Sequence, residues 1–137
     1  MRKVSVFALF VGAVFVSGLS FAGGNVQVKG EALKALFNDM TQHCDQVGKD
    51  KTCKTYNGTD GRIGRVMDAD GKQRVGDWWV TEDSEYCVHW DIKDYDLCFT
   101  VIDMGDGTYE MYKKGKLKAL IRKLEPGNPF DIPTAKQ

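Results

Sequence analysis

The sequence predicts a mainly β domain with one N-terminal helix (α+β): an antiparallel meander closed into a small barrel or strongly bent sheet and stapled by disulfides. Three observations predict it. From Thr41 onward, short β-rich segments alternate with the turn signals Asn57-Gly58, Asp60-Gly61, Asp70-Gly71, Gly105-Asp106-Gly107 and Lys114-Gly115. One apolar helical stripe, Leu33, Leu36, Phe37 and Met40, precedes them. Four cysteines, Cys44, Cys53, Cys87 and Cys98, follow an apolar leader that would send them to an oxidising compartment.

The chain opens MRKVSVFALFVGAVFVSGLSFAGGN. Arg2 and Lys3 give a positive start, Val4 to Leu19 is almost wholly apolar and uncharged, and Ser20-Phe21-Ala22 sets small residues where a signal peptidase reads. Residues 1–22 therefore form a secretory signal pattern, with cleavage expected between Ala22 and Gly23. The competing reading, a single membrane anchor, asks for about 18 or more apolar residues, and this run falls short. Gly23, not a cysteine, stands immediately after the cleavage point, so no lipid anchor, and hence no stable membrane anchor, is expected after processing. Residues 23–137 then make one exported domain, periplasmic or secreted, with its core at about 30–124 and an irregular tail at 125–137 that holds all three prolines. Cleavage leaves 17 of the 19 basic residues against 19 acidic ones, about −2 net, which argues against nucleic acid as a partner.

Residues 29–40 carry the i, i+3, i+4, i+7 stripe of an amphipathic helix, which should cover one end or face of the sheet. Strands are expected near 51–56, 61–67, 72–81, 84–91, 96–103 and 107–113, with a last one near 116–123. In that last segment Leu117, Leu120, Ile121 and Leu124 would equally suit a helix. A meander of about seven strands tends to close, because closure removes exposed edges.

The cysteines allow three pairings, and the local one, Cys44–Cys53 with Cys87–Cys98, is the simplest. Zinc is not expected, since no C-x-x-C pair exists. Setting Cys87 opposite Cys98 fixes a register: Tyr86 meets Phe99, Val88 meets Leu97 and Trp90 meets Tyr95, all on one apolar face. If Val80 meets Tyr86 in the preceding strand, Trp78 meets Val88 on that face. The other face then shows Trp79 against the disulfide, with Asp77, His89 and Asp96 in a row. An imidazole between two carboxylates suits acid–base work or weak divalent-metal binding. A self-neutralising surface triplet is the plainer account, contributing about 0–1 kcal/mol.

Other motifs have structural explanations. Asp68-Ala69-Asp70-Gly71 begins like a calcium loop but lacks the distant glutamate, and a hairpin turn accounts for it. Asn57-Gly58-Thr59 matches a glycosylation acceptor, and an Asn-Gly turn needs no sugar. His43-Cys44 beside Met40 could suggest copper, which oxidation of Cys44 would remove. The basic residues Lys113, Lys114, Lys116, Lys118, Arg122 and Lys123 could touch an anionic envelope surface or form a solvated face. No nucleophile elbow, glycine-rich phosphate loop or close histidine–serine–acid pattern is present, so no catalytic residue is assigned.

In order along the chain, "EALKALF", "YNGTDGR", "GDWWV", "YCVHW" with "LCFTV", and "GNP" resemble a family of small exported bacterial proteins known only as a domain of unknown function. The resemblance spans roughly residues 30–129. It implies export, a compact β fold, the Gly76-x-Trp78 strand and the Cys87, Cys98 pair; the Cys44, Cys53 pair lies outside it. It implies no activity or ligand. More loosely, the chain is similar to lipocalin-type barrels, which carry Gly-x-Trp at the start of the first strand, whereas here it stands mid-chain.

The expected function is a non-enzymatic binding or interaction module, probed first at Asp77, Trp79, His89 and Asp96. Its partner would be a small apolar ligand in the barrel or another envelope protein, with no cofactor and a monomeric state. The alternatives are a weak metal-dependent or acid–base activity at Asp77, His89 and Asp96, and inhibition of a secreted enzyme such as a lysozyme.

Overall fold

Each of eight successive strands pairs antiparallel with the next, and the last pairs with the first. The computed structural model describes residues 25–135. Its elements are β1 (Val26–Gln27), α1 (Gly30–Phe37), β2 (Met40–Gln46), β3 (Lys51–Asn57), β4 (Arg62–Met67), β5 (Gln73–Val80), β6 (Tyr86–Trp90), β7 (Leu97–Asp103), β8 (Tyr109–Lys113) and β9 (Lys116–Pro126). Strands β2 to β9 form the closed barrel. β1 adds to β7 at Ile102 and Asp103, beyond the point where β6 has ended. The signal segment and its cleavage point lie outside the described residues.

The barrel has two unlike ends. The β3–β4, β5–β6 and β7–β8 turns gather at the end that α1 covers. Leu33 and Phe37 of α1 are fully buried there, and Phe37 stacks on Tyr86 with ring centroids 4.2 Å apart. Eight residues are too few to hold a helix alone, so this burial, about 1.5–3 kcal/mol per side chain, keeps it formed. The helix stops at Phe37, earlier than the apolar stripe predicts. Asp39 then takes a positive φ of 56°, turning the chain so that its N–H donates to Asn57 O at 2.9 Å. Met40 thus begins β2 instead of extending α1.

Strand β2 has no counterpart among the segments expected from sequence. Its inward positions are Gln42, Cys44 and Gln46, so the apolar alternation that announces a strand is missing. The ambiguous last segment is a strand, β9, and its helix-like spacing comes from bulges. Met111 pairs with Ala119 and Tyr112 with Leu117, which leaves Lys118 unpaired against β8; His43 pairs with Lys123 and Cys44 with Ile121, which leaves Arg122 unpaired against β2.

Both local disulfides are present, Cys44–Cys53 across β2–β3 and Cys87–Cys98 across β6–β7. Each stabilises by about 2–4 kcal/mol. The register expected around them holds at Tyr86↔Phe99, Val88↔Leu97, Trp78↔Val88, Trp79↔Cys87 and Asp77↔His89. It fails at Trp90 with Tyr95: the β6–β7 ladder ends at Val88↔Leu97, the chain turns at Trp90 O with Lys93 N, and Tyr95 is exposed.

Residues 127–135 are irregular in backbone but packed against the barrel wall. Ile132 is buried, and Asn128 holds it by a reciprocal pair of hydrogen bonds, Nδ2 to Ile132 O at 3.0 Å and Ile132 N to Oδ1 at 2.9 Å. Thr41 Oγ1 donates to Gly127 O at 2.6 Å, and Arg62 Nε to Thr134 O at 3.0 Å.

Candidate functional site

The outer row expected from sequence forms only in part. His89 Nδ1 lies 2.8 Å from Asp96 Oδ1. Asp77, although opposite His89 in the ladder, accepts from Arg62 Nη1 at 3.0 Å. The same guanidinium makes a two-pronged contact with Asp91, at 3.3 and 2.9 Å. Together these two carboxylates hold the Arg62 pKa above its ordinary value, the Asp91 hydrogen bond contributing most. Arg62 therefore joins β4, β5, the β6–β7 turn and the C-terminal strap, and Asp77 serves that junction. Trp79 stands half-buried opposite Cys87, itself wholly buried. Among the described residues, no three of His, Cys, Asp and Glu are placed to hold a metal ion.

The remaining motifs resolve structurally. Asp68 accepts from Thr52 Oγ1 and Lys54 Nζ, both at 2.6 Å, and Asp70 Oδ1 accepts from Lys72 N at 2.9 Å, an Asx turn. Asn57 is fully buried, which leaves no room for a sugar. His43 Nε2 lies 2.9 Å from Glu125 Oε2, while Cys44 is in its disulfide.

A concave feature lies inside the barrel. A cavity of about 750 Å³ opens at the end opposite α1, within the size range of small-molecule sites. Toward the closed end it meets Tyr86, Val88, Phe99 and Met111. Below it, Asn57 Nδ2 donates to Tyr86 Oη at 2.7 Å and Gln42 Nε2 to Asn57 Oδ1 at 2.8 Å. Burial pushes the Tyr86 hydroxyl up to about 12, against hydrogen bonds from Asn57 and Gln42 that act the other way. An unfolded tyrosine ionises near 10, so above that pH the unfolded state binds fewer protons than the folded one. Stability is therefore fully present below about pH 10 and falls as pH rises toward 12, by about 3 kcal/mol in total from this group. Urea midpoints of the wild type and Tyr86→Phe between pH 8 and 11 check this. The wild type should lose more with pH than the variant; equal slopes would contradict it.

Cations crowd the cavity's walls and mouth. Lys49, Lys51, Lys72, Lys93, Lys113 and Lys118 line it near the turns. Alternation from Ile63 points Arg65 inward, and alternation from Trp78 does the same for Arg74. These two arginines are direct cross-strand partners and both line the cavity. Only one acidic residue, Asp70, joins the eight cations. The Arg65 guanidinium lies 4.8 Å from the Trp90 ring centroid, and its Nε is buried without a hydrogen-bond partner. Burial, and then the Arg74 charge, push the Arg65 pKa down to about 10.

Arg65 and Arg74 are the residues that sequence reasoning passed over. Aligning the hairpin about Asp70-Gly71 would have set them opposite each other, on the face of Ile63 and Trp78. Comparison of the chain with protein-family models, with curated proteins and with solved structures finds no match. The two disulfides indicate an oxidising compartment, and no helix among the described residues is long and apolar enough to cross a membrane.

Proposed function

We propose that this protein is a non-enzymatic binding module, periplasmic or secreted, that holds a small molecule inside its barrel. The observation that carries the reading is the open cavity of about 750 Å³ in a closed wall with a disulfide at each of two hairpins. A wall tied in this way keeps a site pre-formed, which lowers the ordering cost of binding. The resemblance to small exported bacterial proteins agrees with this reading and adds no ligand to it. The outer His89–Asp96 pair supports acid–base chemistry less well, because Asp77 is engaged by Arg62. Native mass spectrometry of the protein taken from its own host tests the proposal. A co-purifying small molecule, released by unfolding and excluded by substitution of the cavity wall at Val88→Trp, is expected. Bare polypeptide in every preparation, with no uptake from a broad metabolite extract, would contradict it.

A further inference from the structure

The cavity's charge says what kind of small molecule it suits. We infer that the barrel takes a small amphipathic anion, its carboxylate or phosphate head held by Arg65 and Arg74 and its apolar body lying against Val88, Phe99 and Met111. The inference rests on the reading of the barrel as a binding module and specifies its ligand class.

Arg65 and Arg74 face the interior as direct cross-strand partners, and like charges so placed repel. Among the described residues the ion-paired arginines are Arg62 and Arg122, and neither interior arginine has a carboxylate. Both arginines are half-buried and the Arg65 Nε is fully so; a partly desolvated cation without a counter-charge is unfavourable, and the face of Trp90 offsets only part of that for Arg65. An anion between the two guanidinium groups would satisfy both, and the guanidinium fork matches carboxylate and phosphate geometry. The charge is segregated, not a reflection of composition. The whole chain has 19 basic and 19 acidic residues, yet eight cations and one acid line this cavity. A concave site of one sign also draws anions in from solution. The apolar half of the ligand follows from the deeper wall of Val88, Phe99 and Met111. A membrane surface or a nucleic acid could reach the mouth lysines but not a pair of arginines inside the barrel wall.

The test is calorimetric titration of the refolded, ligand-stripped full domain with dodecanoate, dodecyl phosphate, inorganic phosphate and dodecyltrimethylammonium. It is repeated on Arg65→Met and Arg74→Met, whose thermal transitions report whether each is folded. One of the two dodecyl anions should bind one to one and quench tryptophan fluorescence through Trp90, and which binds more tightly separates a carboxylate source from a phosphate source. Each substitution should weaken that binding about 10- to 100-fold, the effect of losing a charge-assisted hydrogen-bonded pair. Equal affinity for the dodecyl cation would overturn the anion inference and leave the barrel reading standing. Inorganic phosphate binding as tightly as dodecyl phosphate would overturn the role of the apolar wall. Binding to phosphatidylglycerol vesicles that neither substitution weakens, with no dodecanoate uptake, would move recognition to the surface lysines. Failure of every probe would sink this inference, while the binding-module reading would still stand or fall on the native mass spectrometry and metabolite uptake.

Discussion

Gly76→Ala is expected to abolish the folded barrel or to cost more than about 4 kcal/mol, the range reserved for severe backbone or core conflicts. Gly76 precedes Trp78 on the interior face of β5 and stands opposite Trp90 of β6. A β-carbon there would overlap the carbonyl oxygen of His89 and come within 2.9 Å of both its carbonyl carbon and Trp90 Cα. These are backbone atoms of the neighbouring strand, so no side-chain rotation relieves the clash. The β5–β6 ladder would have to open at the point where Asp91 N donates to Val75 O at 3.0 Å. Opening it strains the register that joins Trp79 to Cys87 and Trp78 to Val88. Gly71→Ala is the control: its positive φ of 68° makes alanine unfavourable, but no atom lies within 4 Å, so about 1 kcal/mol is expected. Circular dichroism and urea unfolding of both variants check this. A Gly76→Ala protein as stable as Gly71→Ala would contradict the close approach of the two strands.

Gly64→Val is expected to detach the C-terminal strap and to cost about 2–4 kcal/mol, chiefly the burial of Ile132 and the hydrogen bonds lost with it. Gly64 faces outward on β4, between Tyr56 and Val75. A β-carbon at this position would overlap the carbonyl oxygen of Pro133 and meet Ile132 Cγ2 at 3.0 Å. The strap would lose its seat, and with it the Thr134 carbonyl that accepts from Arg62 and the edge-on contact of Phe130 with His43. The interior wall is on the other face of β4, so binding in the cavity should survive. Limited proteolysis with mass mapping should show new cleavage within residues 128–135 of the variant, alongside a lowered melting temperature. Equal protection of the strap in variant and wild type would contradict the arrangement.

Both glycines illustrate what the sequence could and could not reveal. The Gly-x-Trp motif marks Gly76, and the strand pairings around it were readable because Tyr86 and Val88 alternate with polar or cysteine positions. The closed meander was readable from the turn signals, and the two disulfides from the simplest local pairing of four cysteines, with the alternation around Cys87 and Cys98 supporting the second. Polar positions that point inward broke the pattern elsewhere. Gln42, Cys44 and Gln46 hid β2, and the charge on Arg65 and Arg74 concealed that they share the face of Ile63 and Trp78. Bulges at Lys118 and Arg122 converted a strand's period of two into a helix-like spacing in β9. Asp77 stands opposite His89 as the register predicts, and His89 reaches Asp96 by a side-chain contact beyond the end of the β6–β7 ladder. What no local pattern could show was the competing partner: Arg62, distant in sequence, draws Asp77 away. Likewise, Lys113 and Lys118 belong to the cavity mouth, whereas their neighbours Arg122 and Lys123 pair with Asp45 and Glu125 at 2.9 and 2.8 Å. One basic run in sequence thus has two destinations in space.

An interior arginine pair without a counter-charge should weaken the empty barrel. The most direct measurement is the melting temperature of Arg65→Met against wild type, both refolded from denaturant to strip any bound ligand, then repeated with saturating dodecanoate. Without ligand, the variant should melt higher, by an amount corresponding to about 1 kcal/mol, because methionine fills similar space without a half-buried, unpaired charge. With dodecanoate the order should invert, since a ligand that binds the folded wild type about 10- to 100-fold more tightly than the variant raises its stability more by mass action. A variant that melts lower than the empty wild type, with an unchanged gap when dodecanoate is added, would mean that Arg65 supports the fold and does not await an anion.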